Sequence, residues 1–207
     1  MIKLKFRKIK NESMVKDLFA SLSEIIKEDL VNGDINFPPL HEVYNLMIEN
    51  VKRNSGFQFC CEYSKITLGF VISSVSQIDP EMLFIPVLCV NNKYRNNGIA
   101  NELLKEVEGL AKQNGLKKIR MSYSPSGKHF CQKNGYKLRL EICVPENIDE
   151  SENNIIQNLQ AEYISSKKYN NKIYLVFSLD KDNPSLLSKL SKSIKGATAN
   201  FVFEKEI

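Results

Sequence analysis

Between residues 82 and 123 the hydrophobic period changes twice, and this constrains the fold more than any other feature of the chain. Met82 to Val90 is a nearly unbroken apolar run, dense enough to be a strand at the centre of a sheet. Ile99, Leu103, Leu104, Val107, Leu110 and Ala111 then recur at a helical period, and Asn114-Gly115 ends it. Lys118 to Tyr123 is again a strand. A strand, a helix and a second strand in this order make a βαβ unit, so the two strands are expected to be parallel neighbours.

The elements around this unit read as antiparallel. Residues 3 to 9 alternate Lys3, Lys5 and Arg7 with Leu4 and Phe6, the pattern of an edge strand with a charged, solvated face. From Ser13 to Leu30 the positions Val15, Leu18, Phe19, Leu22, Ile25 and Ile26 keep a helical period, which Asn32-Gly33 stops. Beyond Phe37-Pro38-Pro39 a second helix places Val43, Leu46, Met47 and Val51 on one face. Gly56 opens a strand to Tyr63, Ser64-Lys65 turns the chain, and Ile66 to Val75 returns as the hairpin partner.

Downstream, residues 126 to 133 form a short helix closed by Asn134-Gly135, and Tyr136 to Val144 a strand. An acidic loop with Glu146, Asp149, Glu150 and Glu152 follows. Ile155, Ile156, Leu159 and Tyr163 point to a helix, Lys172 to Leu179 to a strand, Asn183-Pro184 to a helix start, and Phe201 to Ile207 to a last strand. The expected fold class is α+β in αβα layers, around a mixed, mostly antiparallel sheet.

With 43% hydrophobic and 26% charged residues, the chain has the make-up of a globular protein that buries its own core. Its longest apolar run is about half of a membrane span, and no signal-peptide pattern opens the sequence. A net charge of +5 without a recognisable module gives no case for nucleic acid. The five cysteines have neither disulfide-framework nor zinc-ligand spacing, which points to a reducing, cytoplasmic setting without a metal.

The stretch Val90-Asn91-Asn92-Lys93-Tyr94-Arg95-Asn96-Asn97-Gly98-Ile99-Ala100 joins the buried strand to the helix. At such a junction the first-turn amides lack intrahelical partners, and together with the helix dipole they favour a diphosphate. Gly98 permits close backbone approach, Ala100 keeps the helix start uncluttered, and Arg95 can supply charge. The plainer reading is an ordinary strand–helix turn. Neither Gly-x-Gly-x-x-Gly nor a Gly-Lys-Ser/Thr phosphate loop occurs.

Arg95, Gly98 and Ala100 resemble the Arg/Gln-x-x-Gly-x-Gly/Ala motif of the GNAT superfamily, the acyl-CoA-dependent N-acyltransferases. Phe130, Lys133 and Gly135 match its second signature, with Gly127 at the small position and Tyr136 in place of Phe. The element order to about residue 144 is also that of the family. The resemblance implies acetyl-coenzyme A as acyl donor and an amine-bearing small molecule or peptide as acceptor. The amine would attack directly in a ternary complex. It implies coenzyme contacts from Leu88, Val90, Arg95, Asn96, Asn97, Gly98, Ile99, Ala100, Ser124 and Phe130.

Two positions depart from the family pattern. Ser124 stands for a frequent Asn, and Cys131 falls where members carry a Tyr that can protonate the leaving thiolate. The fourth-strand position of some members' catalytic Glu is Phe84 here. That leaves Cys131 as acid and Glu81 as base as the catalytic candidates, with Asp79 and His129 behind them. The acidic segment 146–152 could draw a cationic acceptor or be a solvated loop. The alternative to an enzyme is an acyl-CoA-binding sensor or interaction protein.

Seven strands complete the core that the resemblance implies, one fewer than the sequence offers. Either Lys172 to Leu179 closes the sheet and the rest is an appendix, or Phe201 to Ile207 closes it and residues 145 to 199 are an insertion. The more apolar strand 172–179 favours the first, with residues 1–180 as the acetyltransferase domain and 181–207 as a helix–strand extension. That extension would cover a sheet edge or join two copies as a homodimer.

Overall fold

The computed structural model describes residues 4–31, 39–53 and 57–207. The breaks expected at Asn32-Gly33, Phe37-Pro38 and Gly56 lie outside the described residues. The chain divides into two compact units, residues 1–76, 80–126 and 206–207 in one and residues 77–79 and 127–205 in the other. Among the described residues there are nine strands and six α-helices. The class is mixed α+β, and the strand pairing is mostly antiparallel.

In the first unit the order along the chain is β1 (Lys5–Lys8), α1 (Glu12–Val31), α2 (Leu40–Lys52), β2 (Phe59–Tyr63), β3 (Ile66–Val75) and β4 (Met82–Val90). A 3-10 turn (Asn92–Tyr94), α3 (Ile99–Gln113) and β5 (Lys118–Ser122) follow. The strands lie side by side in sequence order, antiparallel from β1 to β4 and parallel between β4 and β5. The β2–β3 hairpin turns on Ser64 and Lys65, both at positive φ (47° and 69°), the two-residue geometry whose twist suits the flanking strands.

The periodicity explains the layers. Val15, Leu18, Leu22 and Ile25 of α1, with Val43 and Met47 of α2, bury against Cys60, Phe70, Ile72, Val87 and Cys89 of the sheet. Strand alternation turns the equally buried Cys61 and Val71 to the opposite face, where α3 packs with Ile99, Leu103, Leu104, Val107 and Ala111. Each fully buried Val, Leu or Ile among them contributes roughly 1.5–3 kcal/mol. Two buried polar side chains join α2 to the sheet. Asn50 Nδ2 donates to the Ser73 carbonyl at 3.2 Å, and Gln58 Nε2 to the Met47 carbonyl at 3.1 Å.

The basic side of β1 is solvated at Lys5 but half-buried at Arg7. Arg7 lies opposite Cys60 in the core row under α1 and pairs with Glu62. The alternation of apolar and basic residues identified the strand and its solvated Lys5, but not that Arg7 continues the buried row under α1.

The second unit holds α4 (Lys128–Lys133), β6 (Lys137–Pro145), α5 (Glu150–Gln157), β7 (Glu162–Tyr169), β8 (Lys172–Ser178), α6 (Pro184–Ser193) and β9 (Thr198–Glu206). β6 is flanked on one side by β8 and on the other by β9, and β7 pairs outside β8. Both candidate closing strands therefore take a place beside β6. Leu138, Leu140, Ile142 and Val144 make one buried face of β6, whereas Arg139 and Glu141 of the alternate face are half-buried.

The acidic segment is a turn at Glu146 that leads into a capped helix start at Asp149. Asp149 caps α5 by accepting from the Glu152 amide at 2.8 Å, and Glu152 accepts in return from the Asp149 amide at 3.1 Å. Tyr163 belongs to β7, not to a helix.

Candidate functional site

Hydrogen bonding along β4 determines where its backbone groups point. The Asn91 amide donates to the Leu68 carbonyl at 2.8 Å, so these two residues form a hydrogen-bonded pair of the antiparallel ladder. Counting back by twos, Cys89 and Val87 also face β3. The N–H and C=O groups of Leu88 and Val90 then face the other flank. On that flank β5 pairs only up to Ile85, opposite Met121.

Pro86 lies where the pairing stops. It offers no N–H to the β5 side, and the β3–β4 register shifts around it, with Val87 opposite Ile72 but Phe84 opposite Ser74. β4 thus carries one extra residue here, a bulge. A proline inside an otherwise central strand is the sequence signal for such a break, and the reading of 82–90 as a continuous strand passed over it. Among the described residues of this unit, β4 has no strand partner on that flank beyond Ile85, and Leu88 and Val90 present their backbone to it.

The loop that follows is held by its own side chains. Asn91 Oδ1 accepts from the Lys93 amide at 3.0 Å, and Asn97 Nδ2 donates to the carbonyls of Tyr94 and Arg95, both at 3.1 Å. Arg95 Nε donates to the Val90 carbonyl at 3.0 Å, which ties the exposed guanidinium to the end of β4. Asn96 (φ 63°) and Gly98 (φ 78°) both adopt left-handed backbone, which Asn tolerates and Gly adopts freely.

Gly98 is the N-cap of α3 and supplies no side-chain hydrogen bond to the first turn. A Cβ placed on it would meet nothing within 4 Å, so the ground before the helix is open. Ile99 is buried and anchors the helix start from below. The junction therefore offers first-turn amides, the positive end of a fifteen-residue helix and one tethered cation. This donor set fits a diphosphate.

Gly69 is a residue the sequence reading missed. It pairs with Val90, and a Cβ there would lie 2.7 Å from the Cys89 carbonyl oxygen and 3.1 Å from Val90 Cγ2. Only glycine lets β3 approach this end of β4. A glycine inside a strand pattern was the available signal.

The remaining candidates fall elsewhere. Ser124 follows β5, half-buried, with its Oγ 3.2 Å from Ser126 Oγ. In the second unit Phe130 is half-buried on α4 and Cys131 is buried, with burial pushing its thiol up to about 12. His129 is exposed on the same helix. Glu81 precedes β4 at its opposite end, roughly 23 Å from Leu88 at the usual strand rise. There it is exposed and ion-paired with Lys117. Asp79 is buried and lies 3.6 Å from Lys167 Nζ. Among the described residues no cluster of His, Cys, Asp and Glu could hold a metal, and no helix is long and apolar enough to cross a membrane.

Solved structures share this fold at low sequence identity. A diaminobutyrate acetyltransferase, EctA of Paenibacillus lautus, in complex with L-2,4-diaminobutyric acid and coenzyme A, aligns with a TM-score of 0.51 at 13% identity. The match covers 88% of this chain and 99% of that one. An N-acetyltransferase of Staphylococcus aureus Mu50 aligns with a TM-score of 0.54 at 15% identity, covering 86% and 98%. Among curated proteins none matches the chain. Residues 19–136, more than half of the chain, match the model of the acetyltransferase (GNAT) family, from the middle of α1 through the second signature. This chain belongs to the GNAT family of acetyltransferases.

Proposed function

We propose that the chain is an N-acetyltransferase that moves the acetyl group of acetyl-coenzyme A to a primary amine within a ternary complex. The observation that carries this reading is the flank of β4 at Leu88 and Val90, without a strand partner among the described residues of this unit, directly before an open, glycine-capped helix start. Acetyl-coenzyme A needs both features. Its diphosphate takes the amides of residues 96–100 with Arg95 nearby, and its pantetheine takes the backbone of Leu88 and Val90 as an added strand would. The Val90 carbonyl already accepts from Arg95, so the amide donors are the groups left to polarise the thioester carbonyl.

The chemistry follows from that placement. The neutral amine attacks the thioester carbon, a C–N bond forms, the C–S bond breaks, and coenzyme A leaves as its thiolate. The amine loses a proton to water and the thiolate gains one from water. Cys131 remains a protonated thiol through the neutral range, which disfavours it as nucleophile and as donor to a less basic thiolate. Glu81, at the far end of β4, is better used by its ion pair with Lys117.

The test is release of free thiol from acetyl-coenzyme A on addition of amines, including a diamine, an amino acid, a polyamine and a peptide amine, between pH 7 and 9. Thiol release that depends on one amine class supports transfer. Tight coenzyme binding with no release for any amine would favour the sensor reading, for which the replacement of the family's Tyr by a buried Cys131 is the one favourable observation.

A further inference from the structure

The core row beneath α1 ends abruptly. Ile9, Cys60 and Phe70 are buried and apolar, but the next positions outward on the same sheet face are Arg7, Lys5, Glu62 and Thr67. These four form the floor of a cavity of about 830 Å³ in the first unit. Asp17 and Ser21, one turn apart on α1, face it from above, and Lys65 of the hairpin turn stands at its rim. Met14 and Leu18 of α1 line the cavity beside Asp17 and Ser21. A helix normally lays apolar residues over apolar strands, so a floor that carries Lys5, Arg7 and Glu62 under this mixed roof is not core packing.

The charges in the cavity are unevenly matched. Arg7 and Glu62 pair with each other, yet Arg7 Nε is shielded from water and has no hydrogen-bond partner. Among the described residues Lys5, Lys65 and Asp17 have no ion-pair partner. Two cations and one carboxylate therefore remain. The complement is a molecule with two carboxylates and one ammonium, and the volume lies within the range of small-molecule sites. None of the lining residues belongs to the end of β4, the loop after it or the start of α3.

We infer that this cavity is a second ligand site, which binds a dicarboxylic amino acid independently of the coenzyme. The carboxylates lie against Lys5 and Lys65, with one of them in reach of Arg7, and the ammonium lies against Asp17.

The test is calorimetric titration of the full chain with L-glutamate, succinate and putrescine at low ionic strength. L-glutamate binds, succinate binds more weakly because it lacks the ammonium, and putrescine gives no heat. Joint replacement Lys5→Ala and Lys65→Ala lowers L-glutamate affinity about tenfold or more. Asp17→Asn weakens L-glutamate and leaves succinate unchanged. All three residues are exposed, so the variants keep their melting temperature. Coenzyme A affinity measured on the same samples reports the β4 site separately, and it stays within about twofold of the parent. Absence of L-glutamate heat in the parent overturns the inference, as does equal L-glutamate affinity in the double lysine variant, whatever coenzyme A does.

Discussion

The two ends of β4 are built by opposite rules. At the amino end the Glu81 carbonyl accepts from the amides of Lys117 and Lys118, the Glu81 carboxylate pairs with Lys117, and β5 lies alongside from Met82 to Ile85. At the carboxyl end one proline and one bulge end that pairing, and the backbone of Leu88 and Val90 faces a flank with no strand partner among the described residues of this unit. A single strand can therefore hold the sheet with one half and offer hydrogen bonds to a ligand with the other. The side chains of its open half matter less than which residues lack an N–H or a Cβ.

The comparison breaks most readily at Gly98. Gly98→Val strains the left-handed backbone by about 1–2 kcal/mol and fills the open ground before α3, lowering coenzyme A affinity about a hundredfold in calorimetry. Gly98→Asn tolerates the backbone, so it keeps the melting temperature but still loses affinity. A variant of normal affinity would place the phosphates elsewhere.

Gly69→Ala is the next largest effect and acts on stability first. Its Cβ has no room against the Cys89 carbonyl, and denaturant unfolding should report a loss of about 1–3 kcal/mol. An unchanged midpoint would mean that β3 can move away from this end of β4 at no cost.

Cys131 separates a backbone-built site from one that relies on a side-chain acid. Its thiol is raised in the folded chain from an ordinary 9.0 to about 12, so its contribution to stability is complete below pH 9 and is lost as pH rises toward 12. Cys131→Ala should flatten the alkaline fall of the urea midpoint while transfer between pH 7 and 9 is retained. Loss of transfer in that window would give the thiol a chemical role.

The smallest expected effect is at the closed end. Glu81→Gln removes an exposed ion pair worth at most about 1 kcal/mol, and the rate of transfer should not change. A clear fall in the rate of transfer in this variant would restore Glu81 as a base.

The open end was legible in part. The shift in hydrophobic period at 82–123 gave β4, α3 and β5 nearly to the residue, because each has one unambiguous apolar stripe. Arg95, Gly98 and Ala100 marked the junction. What could not be read was the flank: the direction of a backbone N–H depends on ladder register, and Pro86 and Gly69 reveal it only once the strands are paired. In the second unit β7 went unseen because Glu162 to Tyr169 carries little apolar alternation, although Asn170 and Asn171, both at positive φ, made a hairpin turn that two adjacent asparagines could have signalled. The acidic segment was legible only in part: Glu146 lies in a turn, but charge alone does not distinguish a solvated loop from a capping box, which Asp149 and Glu152, three residues apart, form.

Amide hydrogen exchange with and without coenzyme A tests the central claim most directly. Binding should slow exchange in peptides covering residues 88–101, at the Leu88 and Val90 amides and the first turn of α3, and leave residues 79–85 at the closed end unchanged. Protection confined to other segments, with residues 88–101 exchanging as fast as in the free protein, would contradict the assignment of coenzyme binding to the open end of β4.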